Sequence, residues 1–86
     1  MKLYKFKDDR CNIAGINIRK LRESAGMSQE QLASELQLMG LDISQKAVSR
    51  TETGIRVIPD FELLYYAKAL KVTILELLCD ESSSVL

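Results

Sequence analysis

Four polar side chains on one predicted helix have the chemistry that contacts with DNA bases require. Counted at about 100° per residue, they share one face that carries no acidic residue: Gln45, Lys46, Ser49 and Arg50. Val48 and Thr51 fall on the opposite side, which predicts that they face the core. Arginine and lysine donate to guanine O6 and N7, glutamine pairs with adenine, and serine serves either role. The pattern favours base contacts, and the alternative is an ordinary solvated helix face.

Residues typical of helix starts and ends flank this helix and the helix before it. Ser44 is a good N-cap and Gly54 suits the left-handed position after a helix end, so the third helix should lie between them. Upstream, Ser28 and Gln31 have the spacing of a capping box, and Gly40 marks the end of the second helix. A capped helix, a short link and a helix with base-contacting side chains form a helix-turn-helix arrangement.

Three further helices follow from signals of the same kind. The first should begin after Asn12 and the fourth at Pro59, and the capping box of Thr73 and Glu76 should open a short fifth helix. Apolar residues at helical spacing are predicted to face inward: Ala14, Ile18, Leu21, Ala25, Leu32, Ala33, Leu36, Met39, Leu63, Leu64, Ala67 and Leu70. The sequence therefore predicts a compact all-α domain of five short helices.

Length and composition limit the function classes. The chain has 86 residues, which suits one domain, and we expect no room for a second, ligand-sensing domain. It contains no histidine, which excludes Ser-His-Asp and Cys-His catalysis and histidine-based zinc sites. No acid–base pair, nucleophile or metal cluster is recognisable either, so we expect neither an enzyme nor a cofactor.

Cysteine content and charge indicate the compartment and the kind of partner. Cys11 and Cys79 are too few for a disulfide scaffold, which favours free thiols in a reducing cytoplasm over a pairing of the two. No apolar stretch suits a membrane span, and the first residues are too charged for a signal peptide.

The charges are distributed unevenly along the chain although the net charge is zero. Residues 1–50 carry nine basic and six acidic residues, whereas residues 51–86 carry three basic and six acidic residues. The excess of positive charge in the N-terminal half suits binding of an anionic partner there.

The residues around the two central helices resemble the Cro/C1-type helix-turn-helix family, also called lambda-repressor-like or XRE. The matching segments are SQEQLA at 28–33, SQKAVSRTETG at 44–54, I-x-x-LRE-x-x-GMSQ at 18–29 and LL-x-x-AKALKVT at 63–73, with Leu77. The resemblance covers residues 12–79 and implies a five-helix lambda-repressor-like DNA-binding domain there. Residues 1–11 are expected to form an N-terminal arm and residues 80–86 a flexible C-terminal tail.

The resemblance also implies roles for individual residues. At the positions where the family contacts bases, this sequence has Gln45, Lys46 and Arg50. At the positions where the family contacts phosphates, it has Ser28 and Gln29. Arg22 and Glu52 match the family's interhelical ion pair, and the alternative is two independent exposed charges. The arm carries interleaved lysines that suit either the DNA backbone or packing on the body: Lys2, Lys5 and Lys7.

The sequence departs from the family pattern in three places. Between Gln29 and Glu52 it is about five residues longer than the common spacing, which lengthens the second helix or its turn. Thr51 replaces an aliphatic residue that would face the core. Ile55 stands where a basic residue is common, so we expect Arg56 to contact a phosphate instead.

The fifth helix is predicted to be more apolar than a monomer can bury. Ile74, Leu75 and Leu78 are therefore expected to form a homodimer contact. Together these features predict a sequence-specific double-stranded DNA-binding transcriptional regulator, a repressor that binds an inverted-repeat operator as a homodimer. The alternative is an antitoxin-type or adaptor module that uses the same fold to bind a toxin or another protein.

Overall fold

The computed structural model describes residues 9–79 and contains five helices in that range. In chain order these are α1 (Gly15–Ser24), α2 (Gln29–Leu38), α3 (Gln45–Thr53), α4 (Asp60–Leu70) and α5 (Ile74–Leu78). No strand occurs between residues 9 and 79, so the predicted all-α class is confirmed. The predicted tail at 80–86 lies outside the described residues, and so do residues 1–8 of the predicted arm, among them Lys2, Lys5 and Lys7.

Side-chain caps determine where the helices begin and end. Ser28 Oγ accepts a hydrogen bond from Gln31 N at 3.0 Å, and Gln31 Oε1 accepts one from Ser28 N at 2.8 Å. Thr73 and Glu76 form the same reciprocal box at the start of α5. Gly54 ends α3 with φ at 87°, a conformation that glycine adopts without strain. The predicted capping boxes and the predicted end of α3 are therefore confirmed.

The core draws its largest fully buried side chains from all five helices: Ile18, Leu32, Leu36, Val48, Tyr66 and Leu77. Burial raises the pKa of Tyr66 to about 12, so the phenol stays neutral at physiological pH. The inward prediction was wrong for Ala25, Met39 and Leu64, which are exposed. Ala25 and Met39 lie beyond the last residues of α1 and α2, and Leu64 lies about 200° from Tyr66 around α4.

Both cysteines are free thiols, as predicted. Cys11 is half-buried and Cys79 is exposed. Within residues 9–79, the helices are all too short or too polar to cross a lipid bilayer.

A connection of six residues, 39–44, joins α2 to α3. α2 ends at Leu38, and α3 does not begin until Gln45. Leu41 and Ile43 from this turn are only 8% and 4% exposed. Gln37 Nε2 donates to the Ile43 carbonyl oxygen at 2.6 Å. The extended turn is therefore attached to the core by two aliphatic side chains and to α2 by a hydrogen bond.

Replacing the better buried of these side chains should destabilise the domain. For Ile43→Ala we expect the free energy of unfolding to fall by about 2–4 kcal/mol, because packed aliphatic atoms are removed from the core. Chemical denaturation measures the change. Leu38→Ala is the matched control, since Leu38 is 83% exposed and the expected change is below about 0.5 kcal/mol. Equal losses in the two variants would contradict a turn anchored in the core.

Candidate nucleic-acid interface

The helix α3 presents a polar surface on one side and core residues on the other. Ser44 Oγ caps it by accepting a hydrogen bond from Ala47 N at 3.1 Å. Val48 and Thr51 are fully buried, which confirms that they face the core. The predicted base-contacting residues, called the outer face of α3 below, are Gln45, Lys46, Ser49 and Arg50. All are exposed except Ser49, which is half-buried.

A buried ion pair attaches α3 to α1. Arg22 Nε lies 2.7 Å from Glu52 Oε2, and Arg22 Nη2 donates to Glu52 Oε1 at 3.1 Å. The two side chains are only 10% and 1% exposed, so they are not independent surface charges. The hydrogen bond to Glu52 raises the pKa of Arg22, and Arg22 Nη1 also donates to the Met27 carbonyl oxygen at 2.7 Å. The carboxylate inside the domain is thus matched by a guanidinium in bidentate geometry.

Two glutamine amides connect this ion pair to the outer face of α3. Gln29 Nε2 donates to Glu52 Oε1 at 3.0 Å, and Gln45 Nε2 donates to Gln29 Oε1 at 2.8 Å. The Glu52 carboxylate can only accept hydrogen bonds, so the NH₂ end of the Gln29 amide must face it. The carbonyl end of Gln29 then faces Gln45 and accepts a hydrogen bond from the NH₂ group of Gln45. Gln45 therefore enters any interface with its amide already oriented.

The predicted phosphate contact, Arg56, lies in an ion pair with a carboxylate of α4. Arg56 Nη1 and Nη2 donate to Glu62 Oε1 and Oε2 at 2.7 and 2.9 Å. The hydrogen bond to Glu62 raises the pKa of Arg56, and Nη1 also donates to Thr51 Oγ1 at 3.3 Å. Both terminal nitrogens thus donate to a carboxylate that is only 6% exposed, and the phosphate contact of Arg56 stays a prediction. The Thr51 hydroxyl, which departs from the family pattern, here accepts a bond that an aliphatic side chain could not.

No motif in the sequence assigns a role to Glu62. An acidic residue in the first turn of a helix is typical of any helix N-terminus, so its type gave no sign of a buried partner. The available signal was spacing. Glu62, Tyr66 and Ala69 recur at intervals of four and three, which places a carboxylate on the inward stripe of α4.

The segment before α1 holds the C-terminal end of α3. Asn12 Nδ2 donates to the carbonyl oxygens of Thr51 and Arg56 at 3.0 and 2.7 Å, and Cys11 N donates to Gly54 O at 2.7 Å. Asn12 Oδ1 accepts from Gly15 N at 2.8 Å, so α1 begins later than directly after Asn12. Carbonyl groups at and just beyond the C-terminal end of α3 thus accept hydrogen bonds from the segment before α1.

The residues predicted for dimer contact lie on α5 in two different environments. Leu75 is 67% exposed, whereas Ile74 and Leu78 are half-buried and pack against the core. Two aromatic or aliphatic side chains on the neighbouring α4, Phe61 and Leu64, are also more than half exposed. Both α4 and α5 therefore carry exposed apolar side chains.

Comparison with known proteins identifies the same region. A family model described as helix-turn-helix matches residues 18–77. Among solved structures, the restriction-modification controller protein C.AhdI from Aeromonas hydrophila is similar, with 31% sequence identity and a TM-score of 0.66. That similarity covers 74% of this chain and 86% of C.AhdI. No curated protein matches the sequence. The outer face of α3 and the ion pair beneath it lie within the matched residues.

Removing the charge of Glu52 should cost more than removing an exposed carboxylate. For Glu52→Gln we expect the free energy of unfolding to fall by about 3–5 kcal/mol, since Arg22 stays buried without its counter-ion. Thermal or chemical denaturation measures the loss. Glu35→Gln is the matched control, because Glu35 is an exposed carboxylate on α2 and its replacement should change stability by less than about 0.5 kcal/mol. If the two variants were equally stable, the buried pair would not hold α3.

Proposed function

The chain belongs to the helix-turn-helix family of DNA-binding regulators, and from this premise we propose that it is a cytoplasmic repressor that binds an inverted-repeat operator as a homodimer. One observation carries the proposal. Amide and cationic side chains of α3 are exposed together on its outer face, while the opposite side of the helix is held in the core. The similarity to a restriction-modification controller protein supports a role in regulating gene expression.

The outer face of α3 makes the base contacts. Lys46 and Arg50 donate to guanine O6 and N7 in the major groove. The bond from Gln45 to Gln29 uses one Nε2 hydrogen, which leaves Oε1 and the second hydrogen for the complementary pair on adenine. Ser49 is half-buried and contributes its hydroxyl to whichever base edge lies next to it.

Phosphate contacts come from the start of α2. Ser28 and Gln29 lie at its N-terminus, where backbone N–H groups without helical partners and the helix dipole favour an anion. Arg56 would contact a phosphate through the N–H groups that its bond to Glu62 leaves free. Contacts at this point would fix how far α3 enters the groove, since α2 and α3 are joined through Gln29.

Repression follows from occupancy and requires no catalysis. A homodimer places two copies of α3 about 34 Å apart, which matches two half-sites one helical turn apart on the same side of the duplex. A protein bound in this way over a promoter blocks access to it sterically. Leu75 on α5, with Phe61 and Leu64 on α4, provides the exposed apolar surface for the second copy.

The same apolar surface favours a second candidate, a module that binds a toxin or another protein. Salt dependence separates the two functions. DNA binding through phosphates weakens steeply between about 50 and 200 mM salt, because cations are released from the duplex. A complex held by Phe61, Leu64 and Leu75 should be nearly insensitive to salt over that range.

Removing either cation of the outer face should weaken operator binding. For Lys46→Ala and Arg50→Ala we expect losses of about 1–3 kcal/mol each, because a bidentate or charge-assisted base contact is removed. The measurement is a binding titration on an operator selected from a random DNA pool. Lys68→Ala is the control, because it removes an exposed lysine from α4. Unchanged affinity in both α3 variants, with the fold intact, would refute the assigned face.

A charge placed in the proposed dimer surface should separate the subunits. For Leu75→Asp we expect a monomer by sedimentation and a large loss of operator affinity, since only one half-site is then bound at a time. The substitution is compatible with α5, because Leu75 is in its first turn, where an acidic residue is favourable. Leu38→Asp, on the exposed end of α2, should remain dimeric. A wild-type chain that is already monomeric would overturn the proposed assembly.

A further inference from the structure

Three consecutive residues before α1 donate hydrogen bonds to carbonyl groups at the end of α3. Arg10 Nη2 donates to Glu52 O at 2.9 Å, and Cys11 N donates to Gly54 O at 2.7 Å. Asn12 donates to the carbonyl groups on either side of these two. The match to the helix-turn-helix family model begins only at residue 18. The end of α3 is therefore held by a segment that lies outside the matched residues.

Asn12 uses its whole side-chain amide in this arrangement and is only 8% exposed. Its Nδ2 donates to Thr51 O at 3.0 Å and to Arg56 O at 2.7 Å, while its Oδ1 accepts from Gly15 N at 2.8 Å. An amide has two N–H donors, so both are used. The contact is also close, because a Cβ on Gly15 would overlap the Thr51 carbonyl oxygen. Asn12 thus bonds the start of α1, the last turn of α3 and the link to α4.

These bonds hold the turn of α3 that carries Arg50, and they do not reach Lys46. Arg50 lies in the last turn and directly precedes Thr51, which accepts from Asn12. Lys46 lies about 6 Å nearer the start of the helix, in the turn capped by the Ser44 hydroxyl. Helix ends fray when their terminal groups lose hydrogen-bond partners. Losing the Asn12 bonds should therefore loosen the backbone at Arg50 and leave that at Lys46 in place.

We infer that Asn12 is a positioning residue for DNA recognition and that it acts through Arg50. The inference rests on the proposed function, because it assumes that α3 enters the major groove with Arg50 at a base. A hydrogen bond to a base edge requires a narrow range of distances and angles, so it weakens when the backbone that carries the side chain moves. Asn12 is buried and contributes to the contact without touching DNA.

Asn12→Ser tests the inference, because serine can still cap α1 but is too short to reach both carbonyl groups. The Kd for an operator selected from a random DNA pool is measured for Asn12→Ser alone and combined with Arg50→Ala or with Lys46→Ala. We expect Asn12→Ser to weaken wild-type binding about tenfold, which corresponds to about 1.4 kcal/mol. In the Arg50→Ala background the further loss should stay below about twofold, whereas in the Lys46→Ala background it should remain about tenfold.

Asn17→Ser is the matched control for a general loss of stability. Asn17 is also an asparagine of the first helix, and its Nδ2 donates to a backbone carbonyl oxygen, that of Leu77 in α5, at 2.9 Å. Asn17→Ser should lower the melting temperature and leave operator affinity within about twofold of the wild type. If Asn12→Ser does not fold, Asn12→Asp takes its place with Asn17→Asp as its control, since aspartate matches asparagine in size and also caps helices.

Failure of the inference and failure of the proposed function give different results. If an operator is selected but Asn12→Ser binds it like the wild type, or loses equal affinity in the Arg50→Ala and Lys46→Ala backgrounds, Asn12 does not position Arg50 and the DNA-binding function stands. If no sequence is enriched from the pool, the proposed function fails and the inference fails with it.

Discussion

The position of α3 depends on a carboxylate buried inside the domain. Glu52 is only 1% exposed, and an ionised carboxylate in such a place is tolerated only when donors surround it. Arg22 from α1 and Gln29 from α2 supply those donors, so one side chain of α3 joins three helices. Moving α3 would leave the charge unmatched at a cost of several kcal/mol. The outer face is therefore oriented by a buried contact about two turns along α3 from Gln45.

A second polar contact fixes the end of α3 against α4. Arg56 binds Glu62 and also donates to Thr51, so the end of the recognition helix is joined to the helix that carries the exposed apolar surface. Hydrogen bonds of this kind permit only a narrow range of distances and angles, whereas aliphatic side chains repack with small shifts. α3 thus contributes few aliphatic side chains to the core and is positioned largely by directional contacts with its neighbours.

Sequence reasoning succeeded where the determining contacts are local. The capping boxes at Ser28 and Thr73 and the glycine after α3 act within a few residues, so their spacing predicted helix bounds correctly. It failed where the outcome depends on how a helix is rotated about its axis. The inward direction of Glu62, and with it the internal role of Arg56, follows from the rotation of α4 around buried Tyr66. No pattern within residues 54–58 contains that information, whereas the family resemblance already indicated the pairing of Arg22 with Glu52.

The extended turn illustrates why a longer connection leaves the recognition helix in place. Extra residues in a loop cost little closure entropy, about 0.6 kcal/mol for each doubling of its length. Leu41 and Ile43 offset part of that cost by packing into the core. The angle between α2 and α3 is determined elsewhere, because Gln29 at the start of α2 bonds both Gln45 and Glu52, at the two ends of α3. Turn length and recognition-helix geometry are thus physically separate, so additional residues in the turn need not alter the surface that faces DNA.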